Sequence, residues 1–522
     1  MKNCFSYFSL SIILTIFSFS TGSTQSTRGI CGTTIEDQAI LGKYLRQNRE
    51  NPHLSVRSGE TIWVPMIYHL VAKKDGSGRF DRLDKVLDAV IKLNSDYEPQ
   101  GIQFYLDNVT ESIKELNNNA VYDNPKASFG SSKMRSTANK AEFHKAINVF
   151  VVHDIQDANN PGEILGYYTA NGDYVVMKER EIRSPSSTFS HEMGHYFSLM
   201  HPFYGWEERT YNFNEPTPTA IFYAGQSILT EYVSRTKMQG SKKLCEVAAD
   251  QLCDTEANYK LGFGWPACEW TGKAKDPDNV MLTPQEHNFM AYFLRCTDYE
   301  FTKEQGEAMQ RDYHSSHRDY LRKLPAPDLS VPGTTTLRFP ENNQKLDYYD
   351  IVKLDWDDAP NATHYLVERA TRKSFSTGFK SFIADKSEIV FTDLSRSKTY
   401  YWRVTPINET HLSNKSAGPF AFQTGKAKYN ATVDLNGIDA WSIVNNPASP
   451  SKAAHVVILT SKTWTGEMRL SSITGKKIAT LPLRLSKGTK TIPLSSELAP
   501  GLYLVTLSNS TAEETKKLLV VK

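Results

Sequence analysis

The apolar residues in the first two thirds of the chain follow both helical and strand spacing. Between Leu83 and Leu93 they recur three and four positions apart, which predicts a helix with one buried face. Residues 61–69 and the β-branched run 147–152 predict buried strands, and residues 189–200 predict a second helix. This mixture of helices and strands predicts one α/β (α+β) unit.

Turn residues divide the remaining chain into strands. Asn171-Gly172 separates two apolar runs, 163–168 and 173–177, and predicts a hairpin. A linker begins at Pro325, after which helical patterns disappear and strand patterns continue toward the C-terminus. The predicted fold class is therefore multidomain, with an α/β unit followed by two all-β sandwich-like domains.

The first residues have the pattern of an export signal. Lys2 precedes an apolar stretch from Phe8 to Phe19, and small residues follow, which predicts a signal peptide over residues 1–24. A buried N-terminal helix is the alternative. The stretch is too short for a permanent membrane anchor and no later stretch is long enough, so no transmembrane segment is expected after signal removal. Residues 25–57 are polar without sustained periodicity and predict a pro-segment.

Composition and charge limit the classes of partner. The chain has 522 residues, of which 39% are hydrophobic and 23% charged, as in ordinary globular proteins. Sixty basic residues nearly balance 58 acidic ones, giving a net charge of +2. This balance gives no reason to expect a nucleic acid or an anionic membrane as partner.

Cysteine usage agrees with an exported protein. Of six cysteines, Cys4 would leave with the signal peptide, and four others crowd together in the sequence. They predict two disulfides, with three connectivities open. Cys31 is then left over, and the alternative is that Cys31 pairs with one of the four. The four are Cys245, Cys253, Cys268 and Cys296.

The strongest chemical signal is the run His-Glu-Met-Gly-His-Tyr-Phe-Ser-Leu-Met-His at residues 191–201. Because positions four apart share one helix face, His191 and His195 can present imidazoles to one ion. A third ligand at His201 requires the helix to stop and the chain to turn back. Three neutral imidazoles leave a fourth position open, which is the pattern of a catalytic zinc site.

Glu192 lies beside the first ligand, where its carboxylate can reach a water on the metal rather than the metal itself. The predicted reaction is hydrolysis of peptide bonds in proteins by a zinc-activated water, with Glu192 as the general base. With 13 histidines in 522 residues, these offsets arise by chance in roughly one such chain per few thousand. An amphipathic helix with solvated histidines is therefore set aside.

The long motif resembles that of the metzincin zinc peptidases, whose H-E-x-x-H-x-x-G-x-x-H is followed by a methionine turn. Residues 288–292, Asn-Phe-Met-Ala-Tyr, are the candidate turn. The resemblance implies that Met290 packs beneath the zinc-binding histidines and that Tyr292 helps to stabilise the oxyanion. A core methionine and tyrosine on a strand is the alternative for this pair.

Further stretches resemble the bacterial branch of the pappalysin family of metzincins. Residues 253–255 are similar to its Cys-Asp-Thr-Pro loop, residues 268–272 to its Cys-x-Tyr-Thr-Gly element, and residues 296–309 to its Cys…Phe-Thr-x-x-Gln…Met stretch. The resemblance spans residues 61–321 and implies a metzincin catalytic domain over residues 58–323.

The chain departs from that family at three places. Ser198 replaces the glycine that ends the zinc helix, where the backbone often needs a positive φ. Glu256 replaces the loop proline, and Arg295 follows the turn where members that cleave beside basic residues carry acids. We expect Arg295 to disfavour basic substrate residues just after the scissile bond. The alternative is that Arg295 pairs with a carboxylate away from the pocket.

The family resemblance also bears on calcium. In some members the Cys-Asp-Thr loop binds calcium, and Asp250 and Asp254 offer oxygen ligands of the right hardness. Surface carboxylates near a disulfide are the alternative.

A second implication is latency. Several pappalysin relatives carry a pro-segment cysteine whose thiolate fills the fourth zinc position, and Cys31 lies in such a segment. Thiolate is a strong zinc ligand, and zinc lowers the thiol pKa enough to ionise it. We therefore expect a zymogen that Cys31 keeps latent. Activation would cleave the chain between Cys31 and Thr61, with Arg57-Ser58 as the proposed point.

The two C-terminal units carry their own resemblances. Residues 326–425 are similar to a fibronectin type III sandwich, with Trp356 on one strand and a tyrosine on a later one. Residues 429–522 resemble the sorting domain of type IX secretion cargo, through 444–447 and 498–505. This implies the type IX secretion machinery as partner, export through periplasm and outer membrane, and a secreted or cell-surface location. A β-sandwich for adhesion or carbohydrate binding is the alternative.

The predicted function is thus a secreted zinc-dependent endopeptidase acting on proteins or peptides. Its rival is a surface adhesin that uses an inactive metzincin scaffold, with the fibronectin-like domain as the binding module. The intact histidines and Glu192 favour the enzyme, because a scaffold has no reason to keep the glutamate. Gly166 to Ala170 is the expected edge strand along which the substrate lies extended.

Overall fold

The computed structural model describes residues 30–54, 59–157, 163–183, 186–223, 225–293, 295–325, 327–426, 435–449, 453–473, 476–494 and 498–521. The predicted signal peptide and the proposed cleavage point Arg57-Ser58 lie outside these residues. The described chain is multidomain and mostly β, with few helices. Of the helices described, none is both long enough and apolar enough to span a bilayer.

The N-terminal part combines helices with a mixed sheet. Its α-helices are α1 (Ile35–Glu50), α2 (Leu83–Tyr97), α3 (Asn119–Asp123), α4 (Ser128–Ala138), α5 (Thr188–Tyr196) and α6 (Lys303–His314). Its 3-10 helices span Glu98–Gln100, Glu179–Glu181, Leu244–Glu246 and Ser316–Arg322. The strands of the sheet are β1 (Ile30–Cys31), β2 (Ile62–Ala72), β3 (Ile102–Tyr105), β4 (Ile113–Asn117), β5 (Ile147–Val152), β6 (Ile164–Thr169) and β7 (Tyr174–Lys178).

The strand order in this sheet is β1-β6-β7-β5-β2-β3, and β4 also pairs with β2. Strands β2 and β5 and helix α2 correspond to elements that the apolar pattern predicts. The predicted hairpin is β6 paired antiparallel with β7, with Gly166 opposite Met177. Helix α5 packs on β6, so the segment that carries the histidine motif lies against the edge region of the sheet.

The predicted pro-segment contains a helix that its polar composition does not announce. Helix α1 begins after Thr34, whose hydroxyl accepts a hydrogen bond from the backbone N–H of Asp37 at 3.1 Å. Leu41 and Leu45 are 0% and 4% exposed and belong to the main core. Because the buried face of α1 also carries the polar residues Asp37, Gln38 and Asn48, its helical periodicity is weak in the sequence and only packing reveals that face.

The segment before α6 has little regular structure and is held by disulfides. Cys245 is bonded to Cys253 and Cys268 to Cys296, which confirms two disulfides and selects one connectivity. Cys31 is unpaired. The short strands in this segment are β8 (Ala220–Tyr223), β9 (Gln226–Leu229), β10 (Met238–Gln239) and β11 (Lys242–Lys243).

The first C-terminal unit is a β-sandwich-like pair of sheets around a shared core. Trp356 and Trp402 are buried in this core, on β14 and β18 respectively. The strand orders are β12-β14-β17 and β13-β19-β18-β15-β16. The strands are β12 (Leu337–Phe339), β13 (Gln344–Lys345), β14 (Val352–Trp356), β15 (His364–Ala370), β16 (Lys380–Ala384), β17 (Glu388–Phe391), β18 (Thr399–Ile407) and β19 (Ala417–Gln423).

The second C-terminal unit is also all-β within the described residues. Its core contains Trp441 and Trp464, 0% and 2% exposed. The strand orders are β20-β21-β24 and β23-β22-β25-β26. The strands are β20 (Ile438–Val444), β21 (His455–Thr460), β22 (Trp464–Ser472), β23 (Lys477–Leu485), β24 (Gly488–Pro493), β25 (Gly501–Ser508) and β26 (Glu513–Val520).

The first sandwich packs directly against the N-terminal part. Leu366 and Ile407 of the sandwich join the main core, and the hydroxyl of Ser381 donates to the carboxylate of Asp84 on α2 at 3.0 Å. Helix α2 in turn contacts α5, where the hydroxyl of Tyr97 donates to the backbone oxygen of Ser190 at 2.8 Å. The sandwich therefore supports the helix that positions α5.

Candidate metal centre

Three imidazole nitrogens converge at the C-terminal end of α5. His191 and His195 lie one turn apart and are 6% and 0% exposed. The Nε2 atom of His201 is 3.2 Å from Nε2 of His195 and 3.3 Å from Nε2 of His191. Folding thus brings together the three residues that the motif singles out as zinc ligands.

The turn that returns His201 to the helix depends on Ser198. Helix α5 ends at Tyr196, earlier than the predicted residue 200, and Ser198 has a φ of 68°, in the left-handed region. Such a residue commonly terminates a helix and reverses the chain. The hydroxyl of Ser198 donates to Oδ1 of the buried Asp312 at 2.5 Å. A serine therefore adopts the backbone conformation expected of glycine and gains a hydrogen bond in exchange.

The hydrogen bonds made by Nδ1 of His191 and His195 determine which ring nitrogen can bind a metal. Nδ1 of His191 donates to the backbone oxygen of Phe289 at 2.7 Å, and Nδ1 of His195 donates to that of Leu199 at 2.8 Å. Because a carbonyl only accepts, the hydrogen is on Nδ1 and the lone pair is on Nε2.

The imidazoles are also neutral. Burial lowers the pKa of His191 to about 4, and it lowers the pKa values of His195 and His201 well below the usual value. Neutral imidazoles fit a zinc ion, which binds deprotonated nitrogen ligands, and the Nε2 lone pairs of His191 and His195 lie beside Nε2 of His201.

His201 has two outer neighbours that the sequence does not reveal. Its Nδ1 lies 3.0 Å from Nε2 of Gln38 on α1 and 3.4 Å from Oε1 of Glu207. Burial raises the pKa of Glu207 to about 7. Neither residue belongs to a motif, and Gln38 is 163 positions away in the sequence, so no local signal could have identified it.

Glu192 is fully buried beside the three imidazoles. Its Oε2 accepts hydrogen bonds from the thiol of Cys31 and the hydroxyl of Thr33, each at 3.3 Å. Its Oε1 has no hydrogen-bond partner among the described residues. Burial raises the pKa of Glu192 to about 8. A Cβ at Gly166 would lie 3.0 Å from Cγ of Glu192, so glycine leaves the room this side chain needs.

The unpaired thiol of Cys31 lies in the same cluster. Its Sγ and one ligand atom of each of the three histidines all lie within 4.8 Å of one another. The cavity that the thiol occupies has only about 30 Å³ left and is also lined by Ser187, Thr188 and Tyr299. Burial and the neighbouring Glu192 charge raise the pKa of the thiol in the absence of a cation. The predicted pro-segment therefore offers a fourth ligand atom to the centre.

The candidate methionine turn packs against α5. Met290 is fully buried. A Cβ placed on Gly194 would lie 2.5 Å from its Sδ, so the glycine in α5 leaves room for the methionine side chain. The backbone N–H of Met290 donates to Oδ1 of Asn288 at 2.9 Å, which shapes the turn. The ring of Tyr292 lies 5.0 Å from that of His201, and burial raises the pKa of Tyr292 well above its usual value.

Asp254, one of the two predicted calcium ligands, caps a helix in the structure. Its Oδ1 accepts from the hydroxyl of Thr302 and its Oδ2 from the backbone N–H of Glu304, each at 2.7 Å. Both oxygens are thus engaged at the N-terminus of α6, where a carboxylate is favourable.

Asp250 is placed differently. It is 1% exposed, and its Oδ2 has no hydrogen-bond partner among the described residues. Burial raises its pKa to about 7. Burial, and after it the Asp250 charge, raises the pKa of Glu231, a residue that the sequence did not single out. Its Oε2 is likewise unpartnered among the described residues. Two hard oxygen atoms are therefore buried in one region with unmet bonding capacity.

Arg295 is exposed and is not one of the described residues that line the cavity holding the Cys31 thiol. Ala291 lies in that lining. The effect of Arg295 on substrate choice stays a prediction.

Comparison with known proteins identifies one part of the chain and suggests a relative for another. Residues 447–522 match the family described as the secretion system C-terminal sorting domain. A protein named extracellular metalloprotease from Colletotrichum graminicola is 23% identical over 292 residues, covering 53% of this chain and 85% of that protein.

Solved structures with fibronectin domains are also similar to parts of the chain. The chicken CNTN1 FN1–FN3 domains are 10% identical, with a TM-score of 0.17, over 37% of this chain and 66% of that one. The fn3 domain of the human collagen alpha-1(XX) chain is 15% identical, with a TM-score of 0.14, over 21% of this chain and 96% of that one. Scores this low support no further conclusion.

The sorting domain settles the destination of the protein. Its match confirms the interpretation of the C-terminal unit and implies the secretion machinery as a partner. The extracellular relative agrees with this destination. The chain carries a type IX secretion C-terminal sorting domain and is a secreted or cell-surface protein.

Proposed function

We propose that this chain is a zinc-dependent endopeptidase of the pappalysin type within the metzincins. The observation that carries the proposal is the convergence of three imidazole nitrogens. Nε2 of His201 lies 3.2 Å from Nε2 of His195 and 3.3 Å from Nε2 of His191, and the buried carboxylate of Glu192 lies beside them. The distant similarity to an extracellular metalloprotease supports the same reaction class.

His191, His195 and His201 would hold the ion. A bound zinc supplies a Lewis acid for the peptide carbonyl and lowers the pKa of water at the site. Glu192 takes a proton from the attacking water and passes it to the amine that leaves when the C–N bond breaks. Its Oε1, which has no hydrogen-bond partner among the described residues, is free to accept that proton.

Tyr292 is the proposed donor to the oxyanion. Burial keeps its hydroxyl protonated, since the pKa lies far above neutrality. Its ring packs 5.0 Å from that of His201, which holds the hydroxyl close to the ligand set. A preorganised donor of this kind stabilises charge that develops on the carbonyl oxygen.

The predicted pro-segment occupies the strand proposed to align the substrate. Strand β1 pairs parallel with β6, and the backbone N–H of Gly32 donates to the oxygen of Gly166 at 2.8 Å. Farther along β6, the backbone N–H of Tyr168 donates to the hydroxyl of Thr33 at 3.0 Å. Just beyond β6, the backbone N–H of Ala170 donates to Oδ1 of Asp37 on α1 at 2.7 Å. Backbone groups that an extended substrate needs are thus already taken.

Latency through Cys31 follows from the same arrangement. The Cys31 Sγ and a ligand nitrogen of each of the three histidines lie within 4.8 Å of one another, and the thiol also bonds to Glu192. A cysteine in this position excludes water and substrate together. Release of residues 25–57 is therefore the proposed activation step.

The test is hydrolysis of a denatured protein by the mature enzyme, with and without a zinc chelator. Hydrolysis that the chelator abolishes and added zinc restores is the expected result. A chain that binds zinc but cleaves nothing after removal of the pro-segment would favour the adhesin, in which the fibronectin-like unit provides the function.

A calcium site is a further proposal at Asp250. The unpartnered Oδ2 of Asp250 and the unpartnered Oε2 of Glu231 are ligands of the hardness that calcium prefers. Because both oxygens of Asp254 are engaged by α6, Glu231 replaces Asp254 as the expected second carboxylate.

A further inference from the structure

We infer that an aromatic pocket beside the metal centre is a second substrate subsite, which holds an aromatic side chain of the peptide being cleaved. The inference rests on the proposed function and names a substrate class for it. The pocket has a volume of about 330 Å³, enough for one large side chain. Its rings belong to Tyr211, Phe213, Tyr259, Phe263, Trp265 and Trp270.

The rings form a preassembled apolar wall. The ring centroids of Trp265 and Trp270 are 4.3 Å apart, and Tyr211 meets Phe213 edge-on at 4.9 Å. Phe213 and Phe263 are nevertheless 58% and 42% exposed. Clustered aromatic rings that remain open to solvent mark a binding surface, because another ring can add edge-to-face or offset contacts to them.

The pocket lies close to the proposed catalytic site. Glu207 forms part of its wall, and the carboxylate of Glu207 lies 3.4 Å from Nδ1 of His201. The ring centroid of Tyr292 lies 5.0 Å from that of His201 and 6.1 Å from that of Phe263, so Tyr292 packs between the proposed zinc ligand His201 and the pocket. The two end rings are therefore no more than about 11 Å apart, which an extended peptide crosses in about three residues.

Charge does not select the occupant. Glu208 carries a negative charge at the pocket, while Arg209 and Lys260 carry positive charges. The ammonium group of Lys260 already lies over the ring of Phe263, 4.8 Å from its centroid. With both signs present and a cation already placed over Phe263, the aromatic walls provide the discrimination, and they favour another aromatic ring.

The pocket also differs from the cavity that Cys31 fills. No described residue of the predicted pro-segment lines it. Ligand binding can therefore be measured on the full precursor chain, separately from turnover. This separation allows failure of the inference to be distinguished from failure of the proposed function.

The first experiment measures binding to the full chain carrying Glu192→Ala. N-acetyl-phenylalanine amide and N-acetyl-alanine amide are titrated, and tryptophan fluorescence is the readout, since Trp265 and Trp270 are in the wall. We expect a saturable change with the aromatic probe alone. It should be lost in Phe263→Ala and kept in Phe129→Ala, which removes an 84% exposed ring elsewhere. Equal responses to both probes, or a response to oligosaccharides instead, would overturn the inference.

The second experiment maps cleavage sites of the mature enzyme in a peptide library. We expect Phe, Tyr or Trp to be enriched at one position within about three residues of the scissile bond. In Phe263→Ala the KM for such a peptide should rise about tenfold with kcat little changed, while a matched alanine peptide is unaffected. Cleavage without aromatic enrichment overturns the inference. Absence of any cleavage overturns the proposed function.

Discussion

The thiol of Cys31 donates a hydrogen bond to Oε2 of Glu192 across 3.3 Å, although 161 positions separate the two residues in the sequence. Strand β1 makes the contact by pairing with β6 at Gly166, on which α5 packs. One side chain of the predicted pro-segment thus reaches both the proposed general base and the proposed ligand set. Under the proposed function, this one residue would affect metal binding, proton transfer and substrate entry together.

Glu192→Ala is expected to retain zinc and lose turnover. The three histidines survive the change while the proton acceptor is removed, and general-base assistance contributes about 10²–10⁴-fold. Zinc content by metal analysis is measured beside the peptidase rate. Glu215→Ala, which removes an exposed carboxylate from the same domain, is the control and should be fully active. Near-normal activity of Glu192→Ala would contradict the mechanism.

Cys31→Ala is expected to give a precursor that is active early and matures faster. The substitution frees the fourth ligand position and removes a hydrogen bond from the buried Glu192. Activity is measured from the time of expression, together with the appearance of the mature chain on gels. Lys43→Ala, on the exposed side of α1, should behave like the wild type. If Cys31→Ala is as inactive and as slow to mature as the wild type, the thiol does not cause latency.

Substitutions at Ser198 should change the melting temperature through two separate effects, the loss of a hydrogen bond and the strain of a positive φ. Alanine loses the hydrogen bond to the buried Asp312 and keeps the left-handed backbone, so it should be the least stable. Glycine loses the same bond, worth about 1.5–3 kcal/mol to a charged group, but relieves about 1 kcal/mol of backbone strain. The expected order of melting temperature is wild type, then Ser198→Gly, then Ser198→Ala. Calorimetry measures these melting temperatures, and an alanine variant that melts at a higher temperature than the glycine variant would contradict this order.

Acidification should destabilise the fold in part through His69. This residue is 1% exposed, Nε2 lies 2.8 Å from Oδ1 of Asn148, and burial lowers its pKa from 6.5 to about 4. The unfolded chain therefore binds a proton between these pH values while the folded chain does not. Stability contributed by neutral His69 is present above pH 6.5 and is lost as the pH falls toward 4. Melting temperatures measured across this range should fall less steeply in His69→Gln, and identical slopes would exclude this role.

Calcium should raise the melting temperature of the wild-type chain. Ligand binding to the folded state alone stabilises it by mass action, and the buried Asp250 oxygen has no other partner among the described residues. The shift should disappear in Asp250→Asn and persist in Asp298→Asn, whose side chain is 78% exposed. Calorimetry with calcium and with a calcium chelator provides the comparison. A wild-type chain that responds to neither has no such site.

The sequence by itself determined the features that depend on local spacing. The periodicity of an α-helix places His191 and His195 on one face, and the short distance to His201 allows a single turn to complete the set. The presence of two disulfides and of the sorting domain is likewise predicted from the sequence alone.

Tertiary structure alone decided which distant segments meet. The buried face of helix α1 mixes polar and apolar residues and so leaves little periodicity in the sequence, yet Leu41 and Leu45 reach the core and Gln38 reaches His201. Asp254 resembles a calcium ligand in sequence but caps α6, because the N-terminus of that helix arrives beside it. These contacts join segments about 50 or more positions apart, and their stability comes from burial and hydrogen bonding that exist only after the chain has folded.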